Sequence, residues 1–440
     1  MKSVLVFASL LAVVAGTVAA EAPLFEWATA YDVGNGPHSV WAADFNGDSF
    51  DDVVIAVDLD AAISVFLNLG DGSFDEPTSY PVGINPLSVM AADLDGDDHI
   101  DIAVANVDDN TVSVLINDGS GNFGAQIKYP VHNKPHGVYA ADLNGDNALD
   151  LMTANAYSDD VTLLFNDGDG TYSGRVDYQM GLRPIVVVAV DLDGDDDLDL
   201  VDVNQSSFSI GIRLNEGNGV FTPQFFYSVG ESPHWLVAVD IDDDGDIDIA
   251  TANQGGASIT VLKNHGNGSF GNRVDYPAGS GPRGICSGDV DNDGDIDLAA
   301  ANFYTNDVSL YLNNGSGSFA TEIRLPVGSG SISVFSADID ADDDMDLLTA
   351  NFNGGNFSLL KNLTVCCKGP IRGDVNYNDG PVIDISDLVH LFEWMFFGGL
   401  TPMCMAEADI DGSGLPVDIA DLVYLVDFMF SGGPQPAPCP

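Results

Sequence analysis

Seven nonapeptides of one design, "DFNGDSFDD", "DLDGDDHID", "DLNGDNALD", "DLDGDDDLD", "DIDDDGDID", "DVDNDGDID" and "DIDADDDMD", begin at Asp44, Asp93, Asp142, Asp191, Asp240, Asp289 and Asp338, so every step is 49 residues with neither insertion nor deletion. A period this regular means that one supersecondary unit is repeated and that each copy buries its apolar faces against its neighbours. The register extends beyond the acidic stretch. Asn68, Asn117, Asn166, Asn215, Asn264, Asn313 and Asn362 recur at the same spacing, the first six ahead of a Gly-rich turn such as "NDGSGNF", and Tyr31, Tyr80, Tyr129, Tyr178, Tyr227 and Tyr276 mark a third recurring position.

Two carboxylates about 4 Å apart repel by roughly 4 kcal/mol at an effective dielectric near 20, so a loop this acidic needs a cation or must stay open to water. Positions 1, 3, 5 and 9 of each nonapeptide carry a carboxylate or amide, an alternation of oxygen donors that suits calcium, with the position-7 carbonyl as a further ligand. The predicted metal ligands are Asp44, Asn46, Asp48 and Asp52; Asp93, Asp95, Asp97 and Asp101; Asp142, Asn144, Asp146 and Asp150; and Asp191, Asp193, Asp195 and Asp199 in the first four copies. In the last three they are Asp240, Asp242, Asp244 and Asp248; Asp289, Asp291, Asp293 and Asp297; and Asp338, Asp340, Asp342 and Asp346. Glycine, which turns the backbone without a Cβ penalty, sits at position 4 in the first four copies and at position 6 in the next two. The seventh copy has none, so its loop is expected to be the weakest.

Within one unit, "SVMAADL", "DIAVA", "TVSVLIN" and "GAQIKYPV" read as short strands separated by the acidic loop, "NVDDN", "NDGSGN" and "GINP". Four strands per unit and seven units predict an all-β, seven-bladed propeller. The ends agree with a closed ring. The seventh copy stops after "FSLLKN", its third strand, while "FEWATAYDVGNGP" ahead of Asp44 aligns with the fourth strand of the following unit. A strand from each terminus therefore completes one blade, which an open solenoid has no reason to do.

The acidic loop, the Gly-Phe turn ("GSF", "GNF") and the "GxxP" stretch resemble FG-GAP or VCBS repeats of integrin-type propellers and of many secreted bacterial proteins, over roughly residues 24 to 364. That resemblance implies the propeller fold and leaves function open, because such propellers serve as adhesins, lectins, lyase scaffolds and spacers.

"MKSVLVFASLLAVVAGTVAA" reads as a cleavable signal peptide over residues 1–20, so the mature chain is expected to be secreted or held at the cell surface by a partner. Residues 21–364 form the predicted propeller and 365–440 a second module. No later apolar run is long enough to span a bilayer, which predicts no membrane insertion. A formal charge of -55 argues against nucleic acid as a partner. Of the 68 acidic residues, 35 lie in the seven loops, which assigns about half of that charge to metal sites. The remainder fits either a saline habitat or solubility.

Past Thr364 the sequence couples acidic loops to helix-like runs twice, in "GDVNYNDGPVIDISDLVHLFEWMF" and "ADIDGSGLPVDIADLVYLVDFMF". This duplicated loop-helix resembles a type I dockerin. The resemblance implies a first calcium set of Asp374, Asn376, Asn378, Asp384 and Asp387, a second of Asp409, Asp411, Ser413, Asp418 and Asp421, and a cohesin-like partner. The other reading is a small calcium-stapled helical cap. Cys366, Cys367, Cys404 and Cys439 flank or lie in this module, where two disulfides would stabilise a small core. Neighbouring Cys366 and Cys367 are expected to bridge to Cys404 and Cys439, in either connectivity, and Cys286 to be a buried free thiol.

Two function classes compete. One is a non-catalytic binding or adhesion module for a glycan or protein ligand, docked through the C-terminal module to an extracellular assembly. The other is a polysaccharide-active enzyme of lyase or hydrolase type in a cellulosome-like system. No nucleophile-base or zinc-ligand constellation breaks the repeat, which favours binding. The predicted ligand residues lie six positions ahead of the acidic loops, at the opposite mouth of the ring: His38, His136, His234 and Arg283, with Lys134 and Arg183 two residues earlier in their own blades. Asn106, Asn155, Asn204, Asn253, Asn302 and Asn351 read either as an amide ring at that mouth or as caps of the turns that follow them.

Overall fold

The computed structural model describes residues 25–363 apart from 218 and 343, together with the helical positions 423, 425 and 426. Residues 1–20, both dockerin-like ligand sets from Asp374 to Asp421 and the cysteines at 366, 367, 404 and 439 lie outside the described residues. Seven four-stranded antiparallel sheets form the seven blades. Blade one comprises Pro37–Ala43, Asp52–Val57, Ala62–Phe66 and Thr78–Pro81. The next five repeat this plan. Blade seven uses Ser331–Ala337, Asp346–Asn351 and Asn356–Leu360, and its outer strand is Thr29–Asp32 from the other end of the chain, paired as Tyr31 to Phe357 and Asp32 to Asn356. The ring is thus closed as the split repeat predicts.

Burial follows position within the blade. The second strands, such as Asp52–Val57 and Asp101–Asn106, are buried at every residue because blades stack on both of their faces. That is why they read as unbroken apolar runs rather than as alternating strands. The outer strands are largely exposed. Each core lies between two blades: Ile55 and Phe66 of blade one pack with Leu348 and Phe357 of blade seven. The recurrent tyrosines supply a second seam. Tyr31, Tyr80, Tyr129, Tyr178, Tyr227 and Tyr276 meet an aromatic ring of the next blade edge-on, with centroids 5.1–5.4 Å apart. This arrangement is favoured by the ring quadrupoles.

The recurrent asparagine is a clamp between blades. In all seven units its Nδ2 donates to the carbonyl of the position-2 loop residue in the preceding blade at 2.7–3.1 Å, from Asn117 to Phe45 through to Asn68 on Ile339, which crosses the closure. Replacing Asn264 with alanine leaves the buried carbonyls of Leu192 and Ile247 without this donor. The expected cost is about 2 kcal/mol in denaturant unfolding, whereas alanine at exposed Asn272 should change stability by less than about 0.5 kcal/mol.

Candidate metal loops and channel mouth

The acidic loops are held by their own carboxylates. Asp44 accepts from the backbone N–H groups of Gly47, Asp48 and Ser49 at 2.7–3.2 Å, and Asp48 accepts from Phe50 at 3.0 Å. Two positions of each of the first six loops take left-handed backbone. Gly47 has φ 78° and Ser49 φ 74°; in the seventh loop Ala341 takes φ 60°. A Cβ in that region costs about 1–2 kcal/mol. Ala341→Gly should therefore raise stability by up to about 1 kcal/mol after the extra entropy of glycine in the unfolded chain is subtracted, as read by thermal melting with saturating calcium.

The position-9 aspartate is the buried anchor. Asp52, Asp101, Asp150, Asp199, Asp248, Asp297 and Asp346 are at most 1% exposed. Each accepts one bond from the position-2 N–H at 3.0–3.3 Å and one from the N–H of the clamping asparagine at 2.7–2.8 Å. Burial nonetheless pushes these carboxyls up, to about 6 in the first five blades, about 7 for Asp297 and about 9 for Asp346.

Positions 1, 3 and 9 converge. In blades two, four, five, six and seven one carboxylate oxygen from each lies within 4.8 Å of the others, as in Asp93, Asp95 and Asp101. The position-5 aspartates, Asp97 and its equivalents, stand outside these clusters. In blades one and three the third position is Asn46 or Asn144, whose side-chain oxygen accepts from the position-5 N–H at 2.9 Å. In the other five blades the position-3 carboxylate keeps a buried Oδ1 without any hydrogen-bond partner: Asp95, Asp193, Asp242, Asp291 and Asp340. An orphaned carboxylate oxygen beside two further carboxylates is costly unless a cation neutralises it. These loops thus fit a hard divalent ion through oxygen ligands.

A carboxyl whose pKa rises on folding binds its proton more tightly in the folded chain. Its stabilising effect is complete below the unfolded value near 4 and is lost as pH climbs through the folded value. With metal removed by a chelator, melting temperature should consequently rise on acidification from about pH 8 to about pH 5. Saturating calcium should abolish or reverse that slope by holding the same carboxylates ionised. Parallel melts with and without calcium provide the measurement.

At the other end of the inner strands lies the mouth of a central cavity of about 410 Å³, lined by the seven first strands. A register shift interrupts each first strand at its start, between Pro37 and Ser39, Pro135 and Val138, Pro233 and Trp235, and Pro282 and Ile285. A bulge there redirects the side chain that follows the proline. His38, His136 and His234 line the cavity, and the rings of His136 and His234 stand 6.1 Å apart. His38 Nδ1 donates to the Leu87 carbonyl at 2.8 Å, which leaves Nε2 as an acceptor. All three histidines are half-buried, and what they expose faces the cavity and its mouth. Burial, with the neighbouring His136 and Arg283, pushes His38 down to about 3; burial, Arg183 and Arg283 push His136 down to about 4; and His234 is lowered by burial, Arg283 and His136. They are therefore neutral hydrogen-bonding groups at neutral pH. Arg283 lies 4.0 Å over the Phe303 ring and donates to the Gln254 amide oxygen at 3.0 and 3.2 Å.

Three of the six predicted ligand residues, His38, His136 and His234, line the cavity, and Arg283 stands near enough to act on the charge of all three. Arg183 is exposed nearby, and Lys134 is drawn into an ion pair with Asp108. The amide-ring reading is corrected. Asn106, Asn155, Asn204, Asn253, Asn302 and Asn351 are fully buried in their sheets. Five donate to the hydroxyl of the adjacent third strand, as Asn106 does to Ser113 at 2.8 Å. In blade four Gly211 replaces that hydroxyl, and both amide atoms of Asn204 are without partners. Five of the amides are thus committed to the sheets, and all six are buried away from the mouth. Cys286 is a buried free thiol, pushed up to about 12 by burial.

Two features escaped the sequence reading. Leu59, Ile84, Tyr157, Leu182 and Tyr304 are exposed on the loops around the mouth, where the backbone of one loop bonds the next, as from Leu59 N–H to Asn35 and Tyr304 N–H to Ser280. His132 sits between Asp160 at 2.6 Å and Asp177 at 3.6 Å. The equivalent residue is glycine in the other six blades, so aligning the 49-residue units would have exposed the exception.

Sheet order, loop chemistry and closure define a seven-bladed propeller with acidic loops on one face. The FG-GAP-like repeat model matches residues 44–104, 93–153, 143–201, 240–300 and 289–349, and the chain belongs to that family. No curated protein sequence matches it. Among solved structures it is similar to a catalytically inactive Staphylococcus aureus virginiamycin B lyase with quinupristin, at 14% identity over 77% of this chain and 99% of that one, TM-score 0.54. It is also similar to BBS1N in complex with ARL6DN, at 12% identity over 77% and 96%, TM-score 0.56. An Agrocybe aegerita lectin, described as recognising non-reducing terminal N-acetylglucosamine, matches at 21% identity over 72% and 86%, TM-score 0.49. The first two likenesses bear on the fold alone.

Proposed function

We propose that this chain is an exported, calcium-stapled propeller that acts as a binding module for a hydroxyl-rich or carboxylated ligand, such as an acidic glycan, and is joined to a larger assembly through its C-terminal module. The convergence of His38, His136, His234 and Arg283 at one mouth of the central cavity carries this reading. Arg283 supplies the cation and the neutral imidazoles supply donors and acceptors, on a protein whose charge is otherwise strongly negative. Tyr157 and Tyr304, 67% and 61% exposed, add open aromatic faces on the surrounding loops. A small number of placed polar groups within an apolar surround is the usual composition of a ligand site. Calcium would be held on the opposite face by loop positions 1, 3 and 9, completed by position 5 and the position-7 carbonyl. It would stiffen the blades without entering the ligand site. Among the described residues no helix is long and apolar enough to cross a membrane.

Replacing His136, His234 and Arg283 together with alanine should abolish binding on an array of acidic and neutral glycans while leaving the calcium-dependent melting temperature intact. Binding that survives this change but fails when the loop aspartates are altered would place the ligand on the other face. Sustained product release from any glycan would replace the binding reading with the enzymatic one.

A further inference from the structure

The side chain just before the clamping asparagine packs beside the acidic loop of its own blade, as Leu67 does next to Asn46 and Ile116 next to Asp95. It is Leu67, Ile116, Phe165, Leu214 and Leu312 in five blades, but Lys263 in blade five and Lys361 in blade seven. Both ammonium groups reach the position-3 carboxylate of their own loop, Lys263 Nζ to Asp242 Oδ2 at 2.9 Å and Lys361 Nζ to Asp340 Oδ2 at 3.1 Å. Each also donates to a carbonyl of the next blade's Gly-rich turn, Lys263 to Ser316 and Lys361 to Asp71. The Oδ1 atoms of Asp242 and Asp340 stay buried and unpartnered, like their equivalents in blades two, four and six, and both residues belong to the carboxylate clusters of their loops. A fixed positive charge thus stands beside two of the sites on which the calcium reading rests.

Counting charge at positions 1, 3, 5 and 9 then separates the loops. Blades two, four and six offer four aspartates against an apolar wall. Blades one and three offer three, because Asn46 and Asn144 replace the fourth. Blades five and seven offer four, one of them paired with an ammonium. Every odd-numbered site is therefore one charge poorer than its even-numbered neighbours, by two different chemical routes. Calcium affinity follows the number of ligand charges and the freedom of the site.

We infer that Lys263 and Lys361 are tethered cations in the calcium sites of blades five and seven, so that the seven loops form two classes: tight in blades two, four and six, weak in blades one, three, five and seven. The inference rests on the calcium reading above. Blades five and seven would keep part of their neutralisation when calcium is scarce, with the lysine also bridging to the following blade.

The test uses the full chain, stripped with EDTA and titrated with calcium by calorimetry beside Lys263→Met/Lys361→Met and Leu214→Lys. The double variant should move two equivalents from the weak class to the tight one, with affinity at those sites rising about tenfold or more. Leu214→Lys should move one equivalent the other way. Any calcium held by the C-terminal module is common to all three proteins and cancels in the comparison. Melting gives a second readout: the double variant should melt lower in EDTA and gain more on adding calcium. Unchanged isotherms in both variants, with calcium still taken up, would overturn the tethered cations and leave the calcium sites standing. If Asp95→Asn/Asp193→Asn/Asp291→Asn takes up as much calcium as the parent, the loop sites fall and this inference with them. Should the double variant fail to fold, Leu214→Lys decides: loss of one tight equivalent supports the inference, and no loss rejects it.

Discussion

A closed circuit of hydrogen bonds holds the seven blades in register. Phe45 N–H donates to Asp52 of its own blade, its carbonyl accepts from the Asn117 side chain of the next, and the Asn117 N–H donates to Asp101. The same three-part link recurs until Asn68 returns to Ile339 and the circuit ends where it began. Every member is buried, so removing one leaves polar groups that water cannot reach. The circuit also constrains the spacing within a unit: an insertion that shifted the asparagine relative to its loop would displace two bonds in one blade and one in its neighbour.

That circuit places a carboxylate where a carboxylate is expensive. The position-9 aspartates receive two backbone donors each, yet burial still raises their pKa, most of all for Asp346. The nearby position-1 and position-3 aspartates add to the charge. A divalent ion would resolve this conflict in one step, because it would neutralise the cluster and satisfy the orphaned position-3 oxygens. The carboxylate cluster and the inter-blade clamp meet at one residue, the position-9 aspartate, so an ion held there would bear on how neighbouring blades are joined as well as on a surface turn.

The two faces of the ring then divide their tasks. One face carries the acidic loops and the Gly-rich turns, while the other carries the histidines, Arg283 and the exposed tyrosines. The first strands join them, with a bulge at one end that turns side chains into the mouth and a loop at the other that turns carboxylates together. Rigid strands holding variable loop residues are a common way for one fold to present many ligand surfaces.

Period, strand count, loop chemistry and ring closure were legible in the sequence because a repeat without insertions forces each unit to do the same thing. The acidic clusters of positions 1, 3 and 9 were legible for the same reason, although position 5 stands outside them, as was the mouth to which His38, His136 and His234 come. What seven similar units could not disclose is how each side chain is partnered. Asn106 and its equivalents have the right polarity and position for a ligand ring, but third-strand hydroxyls turn them inward. Lys134 has the right charge, but Asp108 claims it. Lys263 and Lys361 look like ordinary surface cations until the next blade brings Ser316 and Asp71 against them. The sequence by itself determined the ring and the chemistry it carries, since those follow from local spacing; the tertiary structure decided which polar groups remain free to act, since that depends on contacts between blades whose partners lie tens to hundreds of residues apart.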